Sequence, residues 1–238
     1  MDIVVLAGGK TSPEMEQLTG VKCRAELPYQ GRRMVDIVLD AVRHLGTPIV
    51  VGEVEIEGAQ QVPSGDRFVQ SLANGLERVQ SQAFLLVTSD LPFLTSAAVD
   101  HFLEHADPSA LLTYPIIPMK EAEKLFPDMP RTTYKLREGT FTGGNIALLN
   151  TSLIRAQIPR MEEAYANRKS VLKLGKMLGP MTLLTLLIGK LVPKSVTIGG
   201  LERAIGKALG GPVKAVVTPF AGVGCDIDNA EQYQAILR

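Results

Sequence analysis

Four short groups of residues in this 238-residue chain have types and spacings suited to chemistry. The first, LAGGKTS from Leu6 to Ser12, directly follows a short apolar run. Adjacent glycines let the backbone approach a ligand closely, and successive N–H groups in such a turn form an anion site, to which Lys10 would add positive charge. The motif is neither a Walker P-loop nor a GxGxxG fingerprint, so a plain strand-to-helix turn stays an alternative.

A basic group follows the glycine loop, at Lys22, Arg24, Arg32 and Arg33. Cations in this place would suit a triphosphate, whose charge is spread over many oxygens and must be neutralised during phosphoryl transfer. A solvated basic surface is the alternative for each of these residues taken singly.

Carboxylates form the other two groups. Asp90 follows an apolar run in LLVTSDLP, and open α/β sheets bind ligands just beyond the carboxyl ends of their strands. Asp90 is therefore predicted to hold Mg²⁺, unless it caps the helix or turn that follows. Asp226 and Asp228 in GCDIDN would point to the same side of an extended segment and supply a second metal ligand; the alternative is an acidic turn that caps the last helix.

Alternating strands and helices must position these groups. Apolar runs predict strands at 3–6, 49–51, 83–87, 110–114, 146–149 and 213–218, and helical spacing predicts helices at 34–42, 68–79, 97–104 and 231–237. This order favours a Rossmann-like three-layer α/β/α sandwich with a mostly parallel sheet.

Between residues 152 and 211 the pattern is almost wholly helical. We expect a single domain over residues 1–238. Within it, this segment would be a helical lid or an insertion on the side where a second substrate, the acceptor, binds. Its most apolar part, 181–192, is too short and too interrupted to span a bilayer, and predicts a buried helix or an interfacial one.

Composition argues against several other classes. Lys plus Arg and Asp plus Glu both number 25, so the formal charge is zero and nothing suggests a nucleic-acid partner. Cys23 and Cys225 lack the spacing of a zinc site or a disulfide scaffold. The N-terminus has no signal-peptide pattern, so we expect a cytoplasmic protein without a transmembrane segment.

Taken together, the order LAGG, KCRAELPYQGRRM, TSDLPFL, GGN and a near-terminal DID resembles the MobA-like nucleotidyltransferases, which include molybdenum-cofactor guanylyl- and cytidylyltransferases. The resemblance covers about residues 1–150 and 213–238. It implies the nucleotide-diphospho-sugar transferase fold of glycosyltransferase-A type. The implied reaction, dependent on Mg²⁺ or Mn²⁺, joins an NMP from an NTP to a small phosphorylated acceptor and releases pyrophosphate.

The resemblance also assigns roles to positions of this chain. Nucleotide-binding positions would be Leu6, Ala7, Gly8, Gly9, Lys10, Ser12 and Ser71, and acceptor-binding positions Gly143, Gly144 and Asn145. Catalytic positions would be Arg24, Lys22 and Asp90, and metal ligands Asp90, Asp228 and Asp226. GTP or CTP is favoured as the nucleotide, and the apolar helices would suit packing as a homodimer.

Two positions depart from the family pattern. The arginine that usually follows the double glycine is missing from KTSPEM, and Arg24 stands where the family has its catalytic lysine. Arginine can bind phosphate bidentately but is not interchangeable with lysine. A catalytically weak or inactive nucleotide-binding or regulatory protein is therefore the alternative. A nicotinamide-dependent oxidoreductase is disfavoured, because GxGxxG is missing after the first strand.

Overall fold

The computed structural model describes residues 1–127, 129, 131–166 and 195–237. The strands are β1 (Asp2–Leu6), β2 (Pro28–Tyr29), β3 (Arg32–Arg33), β4 (Pro48–Val51), β5 (Gln60–Val62), β6 (Ala83–Thr88), β7 (Leu112–Pro118), β8 (Thr133–Leu136), β9 (Gly139–Gly143), β10 (Ile146–Asn150) and β11 (Val213–Val217). The α-helices are α1 (Pro13–Thr19), α2 (Met34–Val42), α3 (Phe68–Leu76), α4 (Ser96–His105), α5 (Met119–Leu125), α6 (Thr151–Ala166), α7 (Ile198–Leu209) and α8 (Ala230–Ile236). Short 3₁₀ helices span Arg24–Glu26, Arg43–Leu45 and Ala221–Gly224.

Nine of these strands form one sheet, in the order β5-β4-β1-β6-β10-β7-β9-β8, with β11 paired to β7. The β1–β4, β1–β6, β4–β5 and β7–β11 pairs are parallel. Of the described strands in this sheet, β9 and β10 alone run against the others. The predicted mostly parallel sheet is confirmed.

Helices cover both faces of the sheet, because alternate residues of its central strands point to opposite sides. Ile3 and Val5 of β1 pack with α2 and α4 in one core. Val4, between them, packs with α3 and α6 in a second core. The predicted three-layer α/β/α sandwich is confirmed.

Helix α3 lies especially close to the sheet. A Cβ added at Gly75 would stand 2.8 Å from a methyl carbon of Val4 and 2.9 Å from one of Val51. Gly75 therefore allows α3 to rest directly on β1 and β4, and this fixes the helix beside the loop that follows β1.

Strand β7 is longer than predicted and begins later, at Leu112 rather than at residue 110. Its prolines obscure the strand pattern, because a proline cannot donate a ladder hydrogen bond. Pro115 lies where β7 changes its antiparallel partner, from β10 at Leu112 and Thr113 to β9 at Ile116. The hairpin of β8 and β9 was not predicted, because these strands are short and rich in polar residues.

The helical segment 152–211 is described at its two ends, by α6 and α7. The expectations for residues 181–192, and for the middle of the segment from 167 to 194, lie outside the described residues. Among the residues that are described, no helix is both long and apolar enough to cross a membrane.

Candidate functional site

The chemistry-bearing groups meet at the edge of the sheet where β1 and β6 end. Leu6 pairs with Thr88 at the ends of these neighbouring strands, and the Ser89 N–H donates to the Leu6 carbonyl over 3.1 Å. Because β10 is antiparallel to β6, its first residue, Ile146, also lies at this edge, opposite Val87. The loops at 7–12, 89–90 and 143–145 therefore converge there.

Backbone pairing brings Arg24 onto the glycine loop. The Thr11 N–H donates to the Lys22 carbonyl over 3.0 Å, and the Arg24 N–H donates to the Gly9 carbonyl over 2.8 Å. A Cβ at Gly9 would stand 2.9 Å from Arg24 Nε. Gly9 thus lets the guanidinium lie directly against the loop.

From this position Arg24 joins two carboxylates from distant parts of the chain. Its Nη1 lies 2.9 Å from Asp90 Oδ2 and also hydrogen-bonds Asp228 Oδ1. The Asp90 side chain is 9% exposed, that of Arg24 24% and that of Asp228 57%, so the cluster runs from the protein interior to the surface. Within the described part of the chain, Asp90 Oδ1 and Arg24 Nε are buried without a hydrogen-bond partner.

Burial and mutual repulsion raise the pKa of two carboxyl groups in this cluster. Burial raises the pKa of Asp90 above its ordinary value, although Arg24 acts in the opposite direction. Burial, together with the neighbouring charges of Asp228 and Asp90, raises the pKa of Asp226 to about 6. Three carboxyl groups therefore interact here, and the site favours bound positive charge.

These side chains fit a magnesium ion shared with a phosphate ligand. The residues that the structure describes contain no group of three or more His, Cys, Asp or Glu side chains arranged to hold a metal by themselves. Mg²⁺, however, typically takes one or two carboxylates and completes its shell with substrate phosphates and water. The unpartnered Asp90 Oδ1 suits such a role, while Arg24 now holds Asp90 Oδ2 and Asp228 Oδ1.

Neither Asp90 nor the aspartates of DID are used as helix caps. Thr95 caps α4, where its hydroxyl accepts from the Ala98 N–H over 3.2 Å. Asn229 caps α8, where its side chain accepts from the Gln232 N–H over 2.9 Å. The helix-capping alternatives for these aspartates are therefore wrong.

The DID segment is held against Asp90 by its backbone. The Ile227 N–H donates to the Asp90 carbonyl over 3.2 Å, and the Ile227 side chain is fully buried. This anchor leaves Asp226 and Asp228 on either side of a buried residue. It explains how the last part of the chain contributes carboxylates to a site that begins at β1.

The GGN motif lies beside the same segment. The Asn145 N–H donates to the Val223 carbonyl over 2.7 Å, and a Cβ at Gly224 would stand 2.5 Å from the Gly143 carbonyl oxygen. Gly144 is also tightly packed, because its Cβ would lie 2.8 Å from Pro115. The three predicted acceptor positions therefore lie beside the backbone that leads into the DID segment.

Ser71 shapes the opposite side of the glycine loop. Its hydroxyl accepts from the Gly65 N–H over 3.0 Å and holds the loop before α3. In that loop the Ser64 Cβ would stand 2.6 Å from a Cβ at Gly8. The Ser71 hydroxyl is thus engaged in positioning the loop that borders Gly8.

The remaining predicted residues, which are the catalytic candidate Lys22 and several nucleotide-binding candidates, have other partners. Lys22 has an 84% exposed side chain, and its ion-pair partner is Glu16, at 3.9 Å, rather than one of the three aspartates. The Ser12 hydroxyl caps α1 by accepting from the Met15 N–H over 3.2 Å. Lys10 is exposed, and its backbone bridges to Cys23. Leu6 and Ala7 contribute backbone, with the Ala7 N–H donating to Val51.

Two residues near the site were missed from the sequence. The Arg131 Nη1 donates to the Gly224 carbonyl over 2.6 Å, directly before the DID segment. Tyr114 lies against Gly143, where its hydroxyl would be 2.6 Å from an added Cβ, and burial raises its pKa to about 12. Tyr114 belongs to a strand predicted only as core, and no sequence motif marked Arg131.

The chain matches the model of one protein family. The model of the family described as MobA-like NTP transferase domain matches residues 3–174. No curated protein sequence matches the chain.

Solved structures show the same fold. A hypothetical transferase from Thermus thermophilus is 38% identical with a TM-score of 0.84, over 97% of this chain and 98% of that one. A nucleotidyl transferase from Methanothermobacter thermautotrophicus is 18% identical with a TM-score of 0.58, over 99% and 94%. A 2-C-methyl-D-erythritol 4-phosphate cytidylyltransferase, also from Thermus thermophilus, is 18% identical with a TM-score of 0.56, over 98% and 96%. The fold is that of the nucleotide-diphospho-sugar transferases, as predicted.

Proposed function

We propose a reaction for this chain on the premise that it belongs to the MobA-like NTP transferase family and is therefore a nucleotidyltransferase. The chain joins an NMP from an NTP to a small phosphorylated acceptor and releases pyrophosphate. The reaction depends on Mg²⁺ or Mn²⁺. The observation that carries this proposal is the Arg24 guanidinium, held between the glycine loop and the carboxylates of Asp90 and Asp228. A cation and two carboxylates beside a glycine loop support a site for Mg²⁺ and phosphates.

The triphosphate would lie along the loop at Gly8 and Gly9. Gly8 is exposed and Gly9 is partly exposed, so a ligand can reach the loop backbone, and Arg24 can offer several N–H donors to phosphate oxygens. Lys10, which is exposed next to the loop, supplies a second positive charge. Leu6 ends β1, Ala7 and Ser12 belong to the loop that follows it, and the segment held by Ser71 would border the base.

Asp90 and Asp228 would hold the metal, with Asp226 beside them. A bound divalent ion would neutralise charge that develops on the phosphates as pyrophosphate leaves. The chain's own part is to present the carboxylates at fixed positions, through the buried Asp90 and the backbone anchor of Ile227. Little reorganisation of these groups is then needed during the reaction.

The acceptor phosphate would approach from Gly143, Gly144 and Asn145. These residues contact the Val223–Gly224 backbone next to the DID segment, so an acceptor bound there faces the nucleotide across the carboxylates. In-line attack on the α-phosphorus requires no covalent enzyme intermediate. Positioning and electrostatic stabilisation are enough for this class of reaction.

We propose GTP or CTP as the nucleotide, on the strength of the family resemblance alone. The acceptor belongs to the class of small phosphorylated molecules, which includes pterin, sugar, polyol and lipid-precursor phosphates. A nucleotide-binding protein without turnover is the second candidate, and the specific observation behind it is that Arg24 stands at the usual lysine position in two ion pairs.

Pyrophosphate release tests the proposal. Each NTP is incubated with Mg²⁺ and a panel of phosphorylated acceptors, with wild type, Asp90→Asn and the control Asp36→Asn. Asp36 is another arginine-paired aspartate, bound to Arg33 at 2.8 Å outside the site. We expect release with one NTP, a loss of about 100-fold or more in Asp90→Asn, and near-normal release in Asp36→Asn.

Two results would count against turnover by this site. Near-normal release in Asp90→Asn would remove Asp90 from the mechanism. Tight Mg²⁺–NTP binding without pyrophosphate release in the presence of any acceptor, with release gained in Arg24→Lys, would favour the nucleotide-binding protein.

A further inference from the structure

Arg24 occupies the position between the two predicted metal ligands. A single nitrogen, Nη1, lies 2.9 Å from Asp90 Oδ2 and bonds Asp228 Oδ1. Both oxygens are thus directed at one positive charge. A divalent cation held by these two carboxylates would be close to the guanidinium, and the like charges would repel each other.

The Arg24 guanidinium has little room to move within this cluster to admit a metal ion. On one side is the Gly9 backbone, close enough that an added Cβ would lie 2.9 Å from Nε and 3.0 Å from Nη2. On the other side is Asp90, whose side chain is almost fully buried. The Arg24 backbone is fixed by its hydrogen bond to Gly9, so only the side chain can leave.

We propose that Arg24 and the divalent metal are alternative occupants of the Asp90–Asp228 pair, so that Arg24 keeps the metal out until an NTP arrives. This inference rests on the metal-dependent transfer proposed above. The NTP phosphates bind at Gly8 and Gly9, draw the guanidinium onto themselves, and release both carboxylates for the metal. Metal and nucleotide therefore bind together, and metal alone binds weakly.

The cost of burying charge supports this exchange. Asp90 in the interior needs a positive partner at every stage, because an unpaired buried carboxylate is strongly disfavoured. Arg24 meets this need without ligands, and the metal meets it in the complex. Asp90 would be one of the residues that hold the metal, and its Oδ1 is the carboxylate oxygen that the Arg24 ion pair leaves unused.

Binding of Mn²⁺ alone tests the exclusion without any turnover. Free Mn²⁺ is measured by electron paramagnetic resonance at pH 8, without nucleotide, for wild type, Arg24→Gln, Arg24→Lys and the control Arg43→Gln. Arg43 is a surface arginine paired with Asp40. We expect Arg24→Gln to bind Mn²⁺ about tenfold tighter than wild type, as the coupling between competing ligands predicts. Arg43→Gln should match wild type.

Two further measurements complete the test. Adding Asp228→Asn to Arg24→Gln should remove the gain, and a non-hydrolysable NTP analogue should raise the Mn²⁺ affinity of wild type but much less that of Arg24→Gln. Thermal melting establishes that each variant is folded, and Arg24→Lys serves if the glutamine variant is not. The shorter reach of lysine should give an intermediate Mn²⁺ affinity.

The outcomes separate the exclusion from the proposed function. Equal Mn²⁺ affinity in wild type and Arg24→Gln, or weaker binding in the variant, would overturn the exclusion while leaving metal-dependent transfer in place. No Mn²⁺ binding by any protein, with or without the nucleotide analogue, would overturn both.

Discussion

Burial of single residues at the site makes their charged forms less stable, and Asp226 shows this most clearly. Its pKa is raised to about 6, first by burial and then by the charges of Asp228 and Asp90. An unfolded aspartate titrates near 3.9. The folded state therefore favours the protonated carboxyl, and this contribution to stability is present below pH ~4 and lost as pH rises to about 6.

Asp226→Asn should consequently stabilise the metal-free protein at pH 7.5 but hardly at pH 4. We expect a gain of about 1–2 kcal/mol at the higher pH, since the half-buried side chain is partly screened by water. Urea unfolding in EDTA at both pH values measures it. A gain of equal size at both pH values would contradict a raised pKa for Asp226.

Asp36 provides a control of opposite sign. The hydrogen bond from Arg33 lowers the pKa of Asp36, so its carboxylate stabilises the fold above the ordinary aspartate pKa. Asp36→Asn should lower the unfolding free energy at pH 7.5, and this loss should disappear as pH falls below the lowered pKa.

Gly9 matters because a side chain there would displace Arg24. Gly9→Ala places a Cβ 2.9 Å from Arg24 Nε, so the guanidinium must move off the loop while the flexible side chain spares the fold. We expect Mg²⁺–NTP affinity to fall about tenfold with little change in melting temperature. Calorimetric titration measures the affinity. Gly199→Ala, whose nearest neighbour would be 3.5 Å away, should leave it unchanged.

The types of the site residues could be read from the sequence, but their pairing could not. Asp90 was predicted as a metal ligand from its place at the end of an apolar strand. That Arg24 holds Asp90 and Asp228 together depends on the pairing of Thr11 with Lys22 and of Arg24 with Gly9. Such contacts lie outside what residue type and spacing encode. Arg131 was missed for the same reason.

At the scale of elements, α3 tests how closely helix and sheet are fitted. Gly75→Ala would bring a methyl group within 2.9 Å of side chains on both β1 and β4, all of them in the core. We expect a loss of about 1–3 kcal/mol in unfolding free energy, as for other overpacked cores. The same change at Gly199, in the first turn of α7, should be neutral or stabilising by up to about 0.5 kcal/mol.

Urea denaturation of the two glycine variants measures this contrast. An unchanged midpoint for Gly75→Ala would mean that α3 can move away from the sheet. Nucleotide binding should then be examined as well, because α3 carries Ser71, which holds the loop beside Gly8.

Elements with a clear hydrophobic period were predicted well, and their directions were not. Buried apolar runs revealed β1, β4 and β6, which lie next to one another in the sheet. The reversed direction of β10 left no trace in its sequence, because a buried strand has the same composition whichever way it runs. Yet that reversal brings Gly143, Gly144 and Asn145 to the site.

For the whole molecule, one sheet edge gathers residues from positions 9 to 228 along the chain. Strands β1 and β6 end there, β10 begins there, and the Ile227 anchor returns the end of the chain to Asp90. The fold could be predicted from the order of strands and helices, and the family from the order of the motifs. The identities of base and acceptor depend on individual hydrogen bonds to ligands, which motif order does not specify.

The most direct test of the account is calorimetric titration of GTP, CTP, ATP and UTP into wild type and Asp90→Asn, each with Mg²⁺ and with EDTA. We expect GTP or CTP to bind wild type with Mg²⁺, and the affinity to fall about tenfold or more in EDTA and in Asp90→Asn. No NTP binding to wild type, or binding that neither EDTA nor Asp90→Asn weakens, would contradict a metal-assisted nucleotide site at Asp90.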